Sequence, residues 1–144
     1  MVNTLDQANQ EIKKATVLEV ATLDKMNFPS LVVLTPLPIH RSVKSILFYT
    51  SEQSTTFKNL LNSSSAAVIS FNEDAHSSVM LKGTLSAVAG AQDQQELQAS
   101  LNAFQRELHY TKPVVLRFNT MSVKLRHHNR VDYQKLGQIS QISN

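Results

Sequence analysis

The chain has 144 residues, no cysteine and only three glycines. Without cysteine it can form no disulfide framework, no thiolate metal site and no cysteine nucleophile, and this composition is compatible with a reducing compartment. Three glycines supply no glycine-rich phosphate loop, and no Gly-x-Ser-x-Gly nucleophile elbow occurs in the sequence. These absences exclude thiol enzymes, P-loop nucleotide hydrolases and elbow-type serine hydrolases.

Long apolar runs and dense charge are also missing. The N-terminal stretch MVNTLDQANQEIKK has no signal-peptide core, and no segment approaches the roughly 20 apolar residues that span a membrane. The net charge is only +3, and the late cations Lys124, Arg126 and Arg130 lack the dense clustering with aromatic residues that is typical of nucleic-acid surfaces. We therefore expect a cytoplasmic protein with neither a membrane nor a nucleic-acid partner.

The residues that are present indicate one globular, β-rich domain. Hydrophobic residues make up 42% of the chain and charged residues 17%, which is a globular composition. A capped apolar pattern predicts a helix from Thr4, and six strands with few helices predict a closed or partly closed barrel. The sequence predicts a barrel domain over residues 1–126 and a polar tail over 127–144. The predicted strands are Thr16–Leu23, Ser30–Leu37, Ser45–Thr50, Ala66–Phe71, Ser78–Val88 and Val114–Leu125, and the later helices are Ser54–Leu61 and Asp93–Phe104.

Two features of these elements carry further structural expectations. Gly83 stands in the middle of the fifth predicted strand, where glycine often marks a bulge or a barrel corner. In the last predicted helix, Leu97, Leu101 and Phe104 share the inner face and are expected to pack in the core or in a dimer interface.

The junction between the third strand and the following helix is rich in hydroxyl groups. Five serine and threonine side chains fall within seven positions, and Lys58 follows one turn into the helix. The first N–H groups of a helix lack internal partners and carry the positive end of the dipole, so they favour an anion. The alternative is that Ser54 only caps the helix and the other hydroxyls belong to a turn. The five hydroxyl residues are Thr50, Ser51, Ser54, Thr55 and Thr56.

Three segments carry a resemblance to a known family: VATLDKMNFPSLVVL, LFYTSEQSTTFKNLLNSSSAAVISF and SSVMLKGTLSAV. From about Thr16 to Leu125 their order and spacing resemble the pyridoxamine 5′-phosphate oxidase-like superfamily of FMN-binding split barrels. The resemblance implies a mainly β fold, a six-stranded split barrel with flanking helices. It also implies FMN as the cofactor and a homodimer, because the family binds the flavin ring on the second strand near the dimer interface.

The resemblance also implies where the cofactor lies. Tyr49 and Thr50 match the family's aromatic–threonine pair at the strand end, where the phosphate and ribityl chain lie. Thr55 and Thr56 stand where many members have an arginine–lysine pair. Val32 stands where an arginine is frequent, Thr35 on the strand stretch that lines the flavin, and Ser78 where a glutamine often touches the cofactor. Together with the junction chemistry, the resemblance predicts nine cofactor-binding residues: Val32, Thr35, Tyr49, Thr50, Ser51, Thr55, Thr56, Lys58 and Ser78.

The departures from the family pattern shape the functional prediction. Val32 replaces a frequent arginine, Leu37 replaces the lysine of authentic oxidases, and their arginine-rich C-terminal segment has no counterpart, so that oxidase activity is not expected. No catalytic side chain stands out. His127 and His128 are adjacent in sequence and point to opposite faces of a strand, so no metal site is expected.

The sequence therefore predicts an FMN-binding protein, an oxidoreductase that passes electrons or hydride between the flavin and a small substrate. Because the phosphate-site cations are missing, a second interpretation stays open. In that alternative the chain is a non-catalytic split barrel that has lost FMN or binds haem or a deazaflavin.

Overall fold

The computed structural model describes residues 3–136, which form seven strands and four helices. Most of these elements follow the sequence pattern closely, and Asn3 caps the first helix by accepting a hydrogen bond from the Asp6 N–H at 2.8 Å. No helix in this range is long and apolar enough to cross a membrane. In chain order the elements are α1 (Thr4–Lys14), β1 (Leu18–Leu23), β2 (Pro29–Pro36), β3 (Ser45–Ser51), α2 (Thr55–Leu60), β4 (Ser65–Asn72), β5 (Ser77–Ala87), α3 (Ala91–Gln98), α4 (Ala103–Glu107), β6 (Pro113–His127) and β7 (Arg130–Lys135).

Six of the strands close into an antiparallel barrel. The order is β3-β2-β1-β4-β5-β6, and β6 pairs back with β3 along seven residues. The pairing of β2 with β3 is far shorter, because only Thr35 and Pro36 face Tyr49 and Phe48. The remainder of β2 leaves β3, so this edge of β2 is open. The predicted mainly β, six-stranded split barrel is confirmed.

The main core fills the barrel interior. Alternate residues of each strand point inward, and Phe48, Leu81 and Phe118 are fully buried there. Helix α1 closes one end of the barrel with Ala8 and Ile12, which are also fully buried. Burying these apolar side chains supplies most of the driving force for folding.

A second, smaller core lies outside the barrel wall. Leu47 and Tyr49 project from the outer face of β3 and pack with Val115 and Leu101 beneath α3 and α4. As a result β3 is buried on both faces, which accounts for its nearly continuous apolar sequence. The outer face of β3 is therefore fixed by packing up to the point where the chain turns into α2.

Gly83 occupies a bulge, as its position within a strand predicts. The register between β5 and β6 shifts between Lys82 and Gly83, and a Cβ at residue 83 would overlap the carbonyl oxygen of Asn119. Only glycine lets the two backbones approach this closely.

Two features differ from the sequence predictions. The predicted helix Asp93–Phe104 is two helices, because the Asn102 side chain caps a second helix by accepting from the Gln105 N–H at 2.8 Å. Leu101 is buried as expected, but Phe104 falls in the new helix and is 57% exposed, so it does not pack in the core of the chain. Strand β7 was not predicted, and it pairs with the C-terminal half of β6. Residues 137–144 of the predicted tail lie outside the described range.

Candidate functional site

Two hydroxyls of the junction between β3 and α2 are used by the turn itself. Ser51 is buried, and its Oγ donates to the Thr111 carbonyl oxygen while it accepts from the Gln53 N–H at 3.1 Å. Ser54 Oγ accepts from the Phe57 N–H at 3.1 Å as the N-cap of α2. For these two residues the simpler interpretation, a turn and a cap, describes what the structure shows.

The exposed face of α2 carries the groups that an anion can reach. Thr55 and Lys58 lie one turn apart and are both exposed, whereas Thr56 is buried. Asn59 is also buried, and its Nδ2 donates to Thr22 Oγ1 on β1 at 3.0 Å. This bond fixes α2 against the barrel, and it leaves Thr55 and Lys58 as the solvent-facing donors of the helix.

Val32 is exposed at the open edge of β2, although its register with β1 would place it in the barrel core. Val32 pairs with Val20, which is fully buried in the core, yet Val32 itself is 36% exposed. The cause is the early separation of β2 from β3, because no strand covers this part of β2 on the β3 side within residues 3–136. Val32 and Thr35 are an odd number of residues apart and point to opposite faces of β2.

Thr35 is held by a buried side chain that the sequence analysis missed. Gln105 in α4 is 0% exposed, and its Nε2 donates to Thr35 Oγ1 at 3.0 Å and to the Pro36 carbonyl oxygen at 3.2 Å. Its Oε1 accepts from the Asn102 N–H at 3.1 Å, which completes a capping box. The spacing Asn102-x-x-Gln105 is the sequence signal that could have revealed this second helix start.

Tyr49 lies directly opposite Thr35 and faces the same outer core. Its ring lies 5.2 Å from that of Tyr110, measured between centroids, with the planes inclined by 47°. Burial, together with the neighbouring Tyr110, raises the pKa of Tyr49 above its ordinary value. Thr50, the next residue, is buried on the opposite face of β3. The predicted pair Tyr49 and Thr50 therefore points to two different sides of the strand.

Ser78 is distant from the other predicted residues within one chain. It lies in β5, and β1 and β4 separate that strand from β2. Neighbouring strands are about 4.8 Å apart, so β5 is roughly 14 Å from β2 along the sheet. The structure groups the predicted residues into an outer set (Thr35, Tyr49), an inner set (Val32, Thr50), the junction (Ser51, Thr55, Thr56, Lys58) and the distant Ser78.

A set of exposed apolar side chains lies beside the open edge of β2, and we call it the apolar face. It consists of Val17, Leu31, Val33 and Phe71, of which Leu31 is 74% and Phe71 is 70% exposed. Val17, Val33 and Phe71 line one groove of about 570 Å³, which shows that they are neighbours. Glu19, Glu73 and Asp74 line the same groove, so the exposed apolar side chains have carboxylates among them. Exposed apolar side chains grouped within a polar rim are typical of an interaction site.

A larger groove lies elsewhere on the outer surface. It has a volume of about 760 Å³ and runs from Ala21 and Ala67 to Lys82, Tyr133 and Lys135. Neither this groove nor the one of about 570 Å³ is lined by any of the nine predicted residues. Within residues 3–136 no group of three or more histidine and acidic side chains could hold a metal ion.

Comparison with known proteins identifies the family. The model of the pyridoxamine 5′-phosphate oxidase family matches residues 4–128. Among curated proteins, none matches this chain.

Solved structures share the fold at low sequence identity. A protein from Clostridium acetobutylicum, related to general stress protein 26 of the pyridoxinephosphate oxidase family, has a TM-score of 0.79 and 16% identity and covers 94% of this chain and 96% of its own. A heme binding protein from Mycobacterium smegmatis has a TM-score of 0.73 and 17% identity, over 94% of this chain and 59% of its own. A pyridoxamine 5′-phosphate oxidase-related, FMN binding protein from Nostoc punctiforme has a TM-score of 0.61 and 11% identity. The match covers 91% of this chain and 92% of the Nostoc chain.

These structural similarities establish the fold, and the family model accounts for nearly all of the described chain. The chain belongs to the pyridoxamine 5′-phosphate oxidase family.

Proposed function

We propose that this chain binds FMN along the open edge of β2 and passes electrons or hydride between the flavin and a small substrate. The observation that carries the proposal is the early separation of β2 from β3 in a chain of this family, with the solvent-facing start of α2 following β3 along the chain. A flat ring can rest against an uncovered strand edge, while the N-terminal turn of α2 faces the phosphate. The flavin supplies the redox chemistry when bound.

The residues present fit this cofactor unequally. At the phosphate, Thr55 offers a hydroxyl and Lys58 a full charge, and both are exposed on one face of α2. At the ring, Thr35 is held by the hydrogen bond from Gln105. At the strand end, beside the ribityl chain, Tyr49 is packed in the outer core. The remaining predicted residues, Thr50, Ser51 and Thr56, are buried and shape the junction, and Val32 adds apolar surface at the strand edge.

We propose that two copies of the chain form a homodimer through the apolar face. This face adjoins the open edge of β2, so a second copy seated there would enclose a ring that one chain leaves exposed. Ser78 is paired with Phe71 of the apolar face and lies three strands along the sheet from Thr35, so in this dimer we expect it to contact the flavin held by the other copy.

The dimer is tested with L31D. A charge in an apolar interface is costly to bury, so the variant is expected to elute as a monomer in size-exclusion chromatography with light scattering, whereas wild type elutes as a dimer. The matched control M121D changes an exposed methionine outside the apolar face and is expected to stay dimeric. A monomeric wild type would overturn this part of the proposal.

Flavin binding is tested by titrating the purified protein with FMN and following flavin fluorescence and the visible spectrum. We expect saturable quenching at micromolar concentrations with one FMN per chain. An absence of quenching would contradict the proposal. If FMN binds, steady oxidation of a nicotinamide cofactor in the presence of an electron acceptor would support the proposed electron or hydride transfer.

A second candidate is haem binding. The solved structure of a heme binding protein has the same fold, and this chain lacks the usual cations at Thr55 and Thr56. Adding haemin to the purified protein discriminates the two candidates. A saturable shift of the Soret band without any FMN binding would favour haem. The FMN proposal predicts saturable FMN binding and no Soret shift.

A further inference from the structure

The amide orientation of Gln105 is fixed by its neighbours. The Asn102 N–H is a donor and needs an oxygen, which is Gln105 Oε1 at 3.1 Å. The carbonyl oxygens of Thr35 and Pro36 are acceptors and need N–H groups, which Gln105 Nε2 supplies at 3.4 and 3.2 Å. A flipped amide would place oxygen against two carbonyl oxygens, so the chemistry permits only one orientation.

This orientation decides the role of the Thr35 hydroxyl. Gln105 Nε2 can only donate, so Thr35 Oγ1 accepts in the bond of 3.0 Å between them. The hydroxyl hydrogen of Thr35 therefore has to point to a different acceptor. Among residues 3–136 no side chain or carbonyl accepts it, and Thr35 is only half-buried beside the open edge of β2.

We infer that Gln105 is a positioning residue that makes Thr35 a hydrogen-bond donor to the polar edge of the flavin ring. The inference rests on the proposed function and goes beyond it by assigning the direction of one bond and the residue that enforces it. Gln105 is fully buried, so it touches no ligand and acts through Thr35.

The consequence concerns the reduction potential of the bound flavin. Two-electron reduction adds negative charge to the ring nitrogens and oxygens, and a fixed donor stabilises that charge without having to reorganise. Thr35 is therefore expected to bind the reduced ring more tightly than the oxidised ring. By linkage, this raises the potential of the bound flavin.

The experiment measures the potential of bound FMN against a reference dye in wild type and four variants. T35V removes the hydroxyl at nearly constant volume, and it is expected to weaken reduced-flavin binding about tenfold relative to oxidised-flavin binding. For a two-electron couple this is a shift of about 30 mV to lower potential. T35S keeps the hydroxyl and is expected to restore the wild-type value. T84V makes the same threonine-to-valine change on β5 and is expected to change nothing.

Q105L tests the positioning role. If it folds, it is expected to lower the potential in the same direction as T35V and to displace the visible band of the bound flavin, although residue 105 makes no contact with the ring. If it does not fold, T35V and T35S still decide the direction of the bond.

The possible failures are distinguishable. A wild type that does not bind FMN overturns the proposed function and this inference together. A wild type that binds FMN, with a T35V potential equal to that of wild type, overturns only the inference. A folded Q105L with the wild-type potential overturns the role of Gln105.

Discussion

The two ends of the proposed flavin site are built differently. At the ring end, Thr35 is held by a hydrogen bond from the fully buried Gln105. At the phosphate end, Thr55 and Lys58 stand exposed on a helix of six residues, and Ser51 and Ser54 are already used by the turn. The hydroxyl that would face the ring is therefore fixed by a buried partner, whereas Thr55 and Lys58 are exposed to solvent. This difference predicts that the affinity for FMN comes mainly from the ring end.

The largest effect is expected from Q105L, which breaks the ring end. The variant removes the hydrogen bonds to the buried Pro36 carbonyl oxygen, to the partly buried Thr35 carbonyl oxygen and from the partly buried Asn102 N–H. Each such group costs about 1–3 kcal/mol, so we expect a loss of about 3 kcal/mol in the free energy of unfolding. Urea denaturation measures it, with the exposed Q95L of α3 as a control expected to lie within about 0.5 kcal/mol of wild type. A loss below about 1 kcal/mol for Q105L would show that the ring end is not held as described.

T55R is expected to raise the affinity of the phosphate end for FMN. It adds a cation on the exposed face of α2, and charge-assisted bonds are about twice as strong as neutral ones, so we expect roughly a tenfold gain in FMN affinity at low salt. Riboflavin has no phosphate and should gain nothing, and salt near 1 M should remove most of the effect. S86R, a cation on the exposed part of β5, is the control for overall charge. An equal gain for riboflavin would place the phosphate elsewhere.

K58A should lower the affinity for FMN, by a smaller factor than T55R raises it. An exposed lysine is screened by solvent, so roughly a threefold loss of FMN affinity is expected, again without any change for riboflavin. Fluorescence titration at two salt concentrations measures it, with the exposed K44A as the matched control. If K44A and K58A behave alike, Lys58 acts only through net charge.

Y49F is expected to have the smallest effect, and it concerns pH. Burial and Tyr110 raise the pKa of Tyr49, so the folded state favours the neutral phenol. The contribution of Tyr49 to the free energy of unfolding is therefore fully present below about pH 10. As the pH rises above about 10, the unfolded chain ionises first and stability is lost. Y49F should remove that loss in urea denaturation between about pH 8 and pH 11. The exposed Y133F should retain it, and an unchanged pH dependence in Y49F would contradict the assignment.

The barrel could be predicted from sequence because its strands are defined by local patterns. Alternation and apolar runs located β1 to β6, and Gly83 marked the bulge that the backbone contact with Asn119 requires. Strand β7 escaped prediction because its sequence, RVDYQK, is mostly exposed and is held by pairing with β6. Pairing of that kind leaves little hydrophobic signal in the sequence.

The site was harder to predict because it depends on contacts between distant residues. Thr35 and Gln105 are 70 positions apart, and only the fold brings them together. The hydroxyl cluster at the junction looked uniform in the sequence, yet Ser51 and Ser54 serve the turn while Thr55 faces solvent. Periodicity reports burial, but it does not report which hydrogen-bond partner a hydroxyl finds.

The central claim is tested most directly by comparing the dissociation constants of FMN and riboflavin for the wild-type protein under the same conditions. If the ring end carries most of the affinity, both ligands bind and FMN is favoured by less than about tenfold, which is about 1.4 kcal/mol. A preference for FMN of about a hundredfold or more, or no binding of either ligand, would contradict the account.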